Sequence, residues 1–242
     1  MKKPDTTRSL FRWIGGLFLP LVTLGFCAAF LFYPPNTPLA PKWNPTEPLN
    51  PKAQVTAITS WKLRNTVRDA ALCRAALNRS GAQFNIQTDR EDSEICHIRQ
   101  RTDLRRIGSA ALAPLDTRCE MALRLALWEI HGLQPLAQFH LGAEISRIHH
   151  FGSFSCRKIR GSSSRMSQHA TANAVDISGF DLKDGRKLRL RNDWTPNSPE
   201  SAFLRAARDS ACDWFGLVLS PDYNAAHHDH FHFDQGRWGG CR

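Results

Sequence analysis

Four histidines fall within six residues near the C-terminus: His227, His228, His230 and His232, in the stretch HHDHFHFD. On a strand, side chains alternate between faces, so His230 and His232 project together. Two imidazoles aimed at one face can share a metal ion, or one can bind it while the other handles protons. A lone His-x-His is a weak signal; four histidines in six residues, broken by Asp and Phe, are harder to read as bland surface. A second group lies upstream, in Ser167-Gln-His169-Ala-Thr-Ala-Asn-Ala-Val-Asp176. Asp176 follows Ala174-Val175 and precedes Ile177, so it stands in an apolar strand. A carboxylate there is expensive unless it is paired or bound to a cation, and a zinc ion offsets that expense. Two histidines, one carboxylate and an open position for water make a catalytic-type zinc site.

These residues need elements to position them. Helical spacing of apolar residues predicts a helix over 62–79, stopped by Gly81. Glu94 to Ile98 reads as a short strand. Thr117-Arg-Cys-Glu120 has the form of a capping box ahead of MALRLALWEI, with Gly132 as the expected stop and a further turn over Pro135–His140. Residues 144–157 look extended, and 161–164 form a Gly/Ser loop. A short strand is expected at Val175–Ile177. Residues 180–190 read as a hairpin in which Asp184-Gly185 suits a type I′ turn. A helix over 199–214 is capped by Ser198, with Pro199 at its first position. The histidine-rich stretch supplies a final strand. The expected class is α+β: a small antiparallel sheet carrying the zinc site, flanked by helices.

The N-terminus carries a different signal. Trp13 to Tyr33 is 21 residues without a charge, preceded by Lys2, Lys3, Arg8 and Arg12. About 20 apolar residues cross a bilayer core, and basic residues before them keep the amino end cytoplasmic. The expected layout is a cytoplasmic segment 1–12, a transmembrane helix 13–33, a Pro-rich linker 34–54 acting as a semi-rigid spacer, and a periplasmic domain 55–242. A cleaved signal peptide is the rival reading, although its small-residue cleavage site is missing; a lipoprotein cleavage before Cys27 is the third. Beyond the span lie six cysteines, Cys73, Cys96, Cys119, Cys156, Cys212 and Cys241, an even number that fits disulfides in an exported domain. Chain proximity pairs Cys73 with Cys96, Cys119 with Cys156, and Cys212 with Cys241. The net charge of +10 favours anionic partners. No nucleic-acid motif is present, and protein partners are not legible.

The stretches HATANAVDISGF, DLKDGR, SACDWFG and YNAAHHDHFHFD with the terminal CR resemble the bacterial extensin-like C-terminal family. Ser-x-His-x6-Asp followed by His-x-His is in turn similar to a wider set of zinc metallopeptidases: D-Ala-D-Ala carboxypeptidases, murein endopeptidases and the hedgehog signalling domain. The resemblance implies zinc on His169, Asp176 and His232. It implies a catalytic place for His230, a further histidine at His227, and a general base at the spacing that Asp229 occupies. Strand alternation would turn Asp229 away from His232, so Asp229 and His230 compete for that role. The family pattern usually has Gly where this chain has Ala172, and Ala would be strained if the backbone needs a positive φ there. Ser167 is a candidate support for His169, and Arg157 or Arg165 a candidate grip on a substrate carboxylate.

The expected chemistry is Zn2+-assisted amide hydrolysis, as an endopeptidase or a D,D-carboxypeptidase of peptidoglycan, by a single-pass protein of the inner membrane with its C-terminal domain in the periplasm. A non-catalytic, zinc-containing wall-binding or scaffold domain is the alternative.

Overall fold

The computed structural model describes residues 6–33, 37–195 and 197–242, with side chains from residue 18 onward. The helices are α1 (Thr6–Phe32), α2 (Thr59–Thr66), α3 (Ala70–Arg79), α4 (Cys119–Trp128), α5 (Gln134–Leu141), α6 (Leu190–Asp193) and α7 (Pro199–Ala211). The strands are β1 (Gln83–Ile86), β2 (Arg90–Ser93), β3 (Cys96–Ile98), β4 (Arg101–Ile107), β5 (Ala110–Arg118), β6 (Ile145–Gly152), β7 (Ala174–Leu182), β8 (Lys187–Arg189), β9 (Leu217–Leu219), β10 (Phe231–Asp234) and β11 (Gly240–Cys241). The class is α+β, as expected, but the sheet is large. Nine strands run in the order β1-β4-β5-β6-β7-β10-β9-β11, with β8 beside β7, and β2-β3 form a separate hairpin. Pairing is antiparallel except for β5 with β6 and β9 with β11.

One face of this sheet is covered by helices. Val175, Ile177 and Phe180 of β7 and Phe231 and Phe233 of β10 are fully buried. Trp128 of α4 packs edge-on to Phe233 with ring centroids 5.2 Å apart, and Phe203 of α7 meets Phe180 at 5.6 Å. Aromatic burial of this kind dominates core energetics. Because strand side chains alternate, Asp176, His232 and Asp234 are left for the opposite face.

Several local expectations are corrected. The helix expected over 62–79 is two helices; the chain breaks before Asp69, whose side chain accepts from the backbone N–H of Leu72 at 2.8 Å and caps α3. Thr117 does not cap α4. It lies in β5, one residue before the strand's end, where its hydroxyl bonds the Ser153 hydroxyl at 2.7 Å, and the N-cap position belongs to Arg118. Gly132 does not stop the helix. It sits in a π-helical turn, Glu129–Leu133, that joins α4 to α5. A Cβ on Gly132 would lie 2.6 Å from Ser210 Oγ, so glycine there permits close approach of α7. The helix ends instead at Gly142, with φ +65°. The Asp184-Gly185 turn is not type I′, since Gly185 has φ +93° but Asp184 is not left-handed. Leu182 N–H donates to Arg186 C=O, closing a three-residue loop with glycine in the left-handed position. Helix α7 starts as expected, with Ser198 Oγ accepting from Ser201 N–H, but ends at Ala211.

The disulfides are Cys73–Cys119, Cys96–Cys156 and Cys212–Cys241. Only the third pair is the one expected from chain proximity. Cys73 is on α3, which packs against the start of α4 and so meets Cys119; Cys96 on β3 meets the segment leading to the site. The closed loops span 46, 60 and 29 residues. At those lengths each constrains the unfolded chain by about 4 kcal/mol in the chain-entropy description.

Residues 37–54 are not a free spacer. They form a strap against the domain: Asn44 and Leu49 are buried, Lys62 Nζ donates to Pro41 C=O at 2.7 Å, Arg79 Nη2 to Leu49 C=O at 2.9 Å, and the His131 ring bonds Pro51 C=O at 2.7 Å. Linker residues 34–36 and the start of the cytoplasmic segment, residues 1–5, lie outside the described residues, as do the side chains of 13–17 in the expected span. Among the described residues, no helix is long and apolar enough to cross a membrane.

Candidate metal centre

Strands β7 and β10 pair antiparallel with Asp176 directly opposite His232. Both neighbours of each residue point into the core, so the two polar side chains emerge side by side on the uncovered face. His169 arrives from a one-turn 3-10 helix, Gln168–Thr171, just before β7. Ser167 caps that turn, its Oγ accepting from His169 N–H at 3.3 Å. The chain leaves the turn through Ala172, at φ +48° and ψ +32°.

Three atoms converge. His169 Nε2 is 3.1 Å from Asp176 Oδ1 and 3.2 Å from His232 Nδ1, and His232 Nδ1 is 2.9 Å from Asp176 Oδ1. Around a tetrahedral zinc with bonds of about 2.0–2.1 Å, ligand atoms sit roughly 3.3 Å apart. The triangle is therefore close to the size such an ion needs. The other ring nitrogens are committed: His169 Nδ1 donates to Ser153 C=O at 2.9 Å, and His232 Nε2 donates to Asp234 Oδ2 at 2.9 Å. With Nδ1–H used, His169 Nε2 meets a carboxylate oxygen acceptor to acceptor, a contact that is favourable only with a proton or a cation between them. The donor set thus fits a divalent metal, and the ring anchoring matches what metal-binding histidines need.

The electrostatics agree. Burial pushes the Asp176 carboxyl up, but the His169 and His232 rings beside it outweigh burial and hold the group far below the usual carboxylate range. Burial pulls His232 down, yet Asp176 and Asp234 on its two sides raise it to about 9.

Residues 71–242 match the family model described as Extensin-like protein C-terminus. The chain belongs to this family. No curated protein and no solved structure matches the chain.

In this extensin-like domain the remaining candidates lie around the triad. His230 precedes β10, so strand alternation does not govern it. Its Nδ1 donates to Asp229 Oδ1 at 2.8 Å, and its Nε2 stands 3.7 Å from Asp176 Oδ1. Asp229 and His230 are therefore hydrogen-bonded to each other, with the carboxylate on the far side of the ring from Asp176. His227 is in a second 3-10 turn, with its ring 5.3 Å from His230 and 5.8 Å from His232. Its Nδ1 donates to Asn224 Oδ1 at 2.8 Å, an oxygen that also accepts from Ala226 N–H. Burial, then the charges of His232 and His230, push His227 down to about 4, so it is neutral at pH 7. His228 turns away, to Ala225 C=O.

Arg157 and Arg165 are exposed at the base of a hairpin-like loop, closed by Ser167 N–H to Arg157 C=O and Ile159 N–H to Arg165 C=O. The charge of that loop that reaches the site is Arg160, which acts on His227. Ser167 supports His169 through the backbone and not through the imidazole.

Four contributors were missed. Asp234 and His232 share a strand face at i and i+2, a legible spacing. Asn224 lies three residues before His227, also within reach of a turn reading. Ser153 contributes a backbone carbonyl, for which residue type gives no signal. Phe151, 62% exposed, packs edge-on to His230 at 5.6 Å and is brought there only by pairing of β6 with β7.

Proposed function

We propose that this chain is a zinc-dependent peptidase that hydrolyses amide bonds in peptidoglycan stem peptides or cross-links. The observation that carries the reading is the triangle His169–Asp176–His232, with every other ring nitrogen anchored so that three donor atoms face one point. A divalent ion held there supplies a Lewis acid and lowers the pKa of a water towards ~7. His230, braced by Asp229, presents Nε2 to the same point and takes the proton of the attacking water, then returns it to the leaving amine. Neutral His227, its ring 5.3 Å from that of His230, is a second hydrogen-bonding group beside the triad. Phe151 excludes water from one side of His230.

Three disulfides support an exported domain. Residues 18–31 of helix α1, apolar and almost all exposed, support an anchor in the inner membrane with the domain in the periplasm. There the abundant polymer carries free carboxylates, which suit Arg160, the loop cation whose charge reaches His227.

The test is incubation of purified sacculi with the protein, with and without a chelator, followed by muropeptide profiling. Chelator-sensitive release of fragments, abolished by His230→Ala, is the expected result. Binding to sacculi without release would make this a wall-binding module with a zinc centre.

A further inference from the structure

The strap brings the exit of α1 and a set of exposed aromatic side chains together. Asn44 Nδ2 donates to Phe32 C=O at 2.7 Å, Thr46 Oγ1 bonds the same carbonyl, and Thr37 Oγ1 bonds Leu31 C=O. The last carbonyls of α1 are thus satisfied by the domain side, and Asn44 itself is fully buried. From Phe18 to Leu31 the helix is exposed apart from a half-buried Ala28, and these bonds at its end tie it to the domain. Around the exit, large apolar groups stay uncovered: Tyr33, Trp43 at 47% exposure, Val55, and Trp61 of α2 at 43%. Thr56 Oγ1 bonds Lys42 C=O and Lys62 Nζ bonds Pro41 C=O, which ties the segments carrying Val55 and Trp61 to the strap beside Trp43. Residues 37–68 also hold five basic residues, Lys42, Lys52, Lys62, Arg64 and Arg68, against Glu47 alone.

We infer that the face formed by the strap and α2 rests on the lipid surface at the exit of α1, with Tyr33, Trp43, Val55 and Trp61 in the headgroup layer and the exposed basic side chains against lipid phosphates. Tyr and Trp are the residues suited to a membrane–water interface, where one end of the ring is apolar and the other wet. Basic residues at an anionic leaflet add to the attraction. The inference rests on the reading of α1 as an anchor, and it replaces a domain swinging on a spacer with one seated on the bilayer.

The full-length chain carrying Trp13→Phe is reconstituted in nanodiscs of phosphatidylethanolamine and phosphatidylglycerol, with and without lipid brominated near the headgroup. Trp194→Phe and Trp238→Phe are present in every variant, so that of the remaining tryptophans only Trp43 and Trp61 are exposed, while Trp128 and Trp214 are buried in the core and out of reach of the quencher. Bromine-dependent quenching is expected, and it disappears when Trp43→Phe and Trp61→Phe are added. Incorporation into nanodiscs without quenching overturns the docking alone. Failure of the chain to enter nanodiscs overturns the anchor and the docking with it.

Discussion

His232 donates through Nε2 to Asp234 Oδ2 at 2.9 Å, and this contact turns Nδ1 towards Asp176. The imidazole is held between two carboxylates, of which only Asp176 faces His169. Asp234 also accepts from Gly236 N–H at 2.7 Å, so its own orientation is set. Removing it should weaken the centre without touching the triangle. Asp234→Ala is expected to lower zinc affinity by about 10–100-fold. Competition with a chromophoric chelator measures this, and an unchanged affinity would remove Asp234 from the account.

Proton release follows from the same geometry. Without metal, His232 holds a proton up to about pH 9, because Asp176 and Asp234 outweigh the effect of burial. A metal needs the Nδ1 lone pair, so binding at pH 7 expels that proton. Affinity should therefore rise with pH, by about tenfold per unit while the proton must be displaced, and level off above about pH 9. Calorimetry in two buffers of different ionisation enthalpy counts the protons; a count of zero contradicts the ligand assignment.

Loss of His230 should separate binding from turnover. His230→Ala is expected to retain zinc and to lose about 10²–10⁴ in hydrolysis rate. Asp229→Asn, which weakens the brace on Nδ1, should cost less than His230→Ala. Equal rates in all three proteins would exclude the dyad from proton transfer.

Ala172 is a non-glycine residue in the left-handed region, at φ +48°. Ala172→Gly should relieve roughly 1 kcal/mol of backbone strain, partly offset by loss of a buried methyl. Ala172→Val should destabilise by more than that, since a β-branched residue tolerates this conformation worse. Denaturant unfolding of the three proteins provides the ranking, and Val as the most stable would refute it.

Disulfide mapping by mass spectrometry under non-reducing conditions should find Cys73 joined to Cys119 and Cys96 to Cys156. Replacing Cys73 and Cys119 together with Ser is expected to cost about 2–5 kcal/mol. A Cys73–Cys96 peptide would contradict the packing of α3 on α4.

What the sequence determined by itself was local. Ser198 and Pro199 start α7 because a cap and a fixed φ act within one turn. Asp176 is legible because a carboxylate in an apolar strand near histidines has few inexpensive explanations, while the choice of His169 and His232 as its partners came from the family resemblance. Tertiary structure decided everything that depends on which distant segments meet. The register of β7 against β10, set by which faces of Val175, Ile177, Phe231 and Phe233 bury against Trp128 and the other helix residues, puts Asp176 opposite His232. A slip of one residue would send the two side chains to opposite faces. The same packing chose the cysteine partners, diverted Thr117 from a cap to Ser153, and drew residues 37–54 onto the domain. Periodicity and capping are encoded within a few residues of chain; pairing is a property of the whole core, and no short stretch carries it.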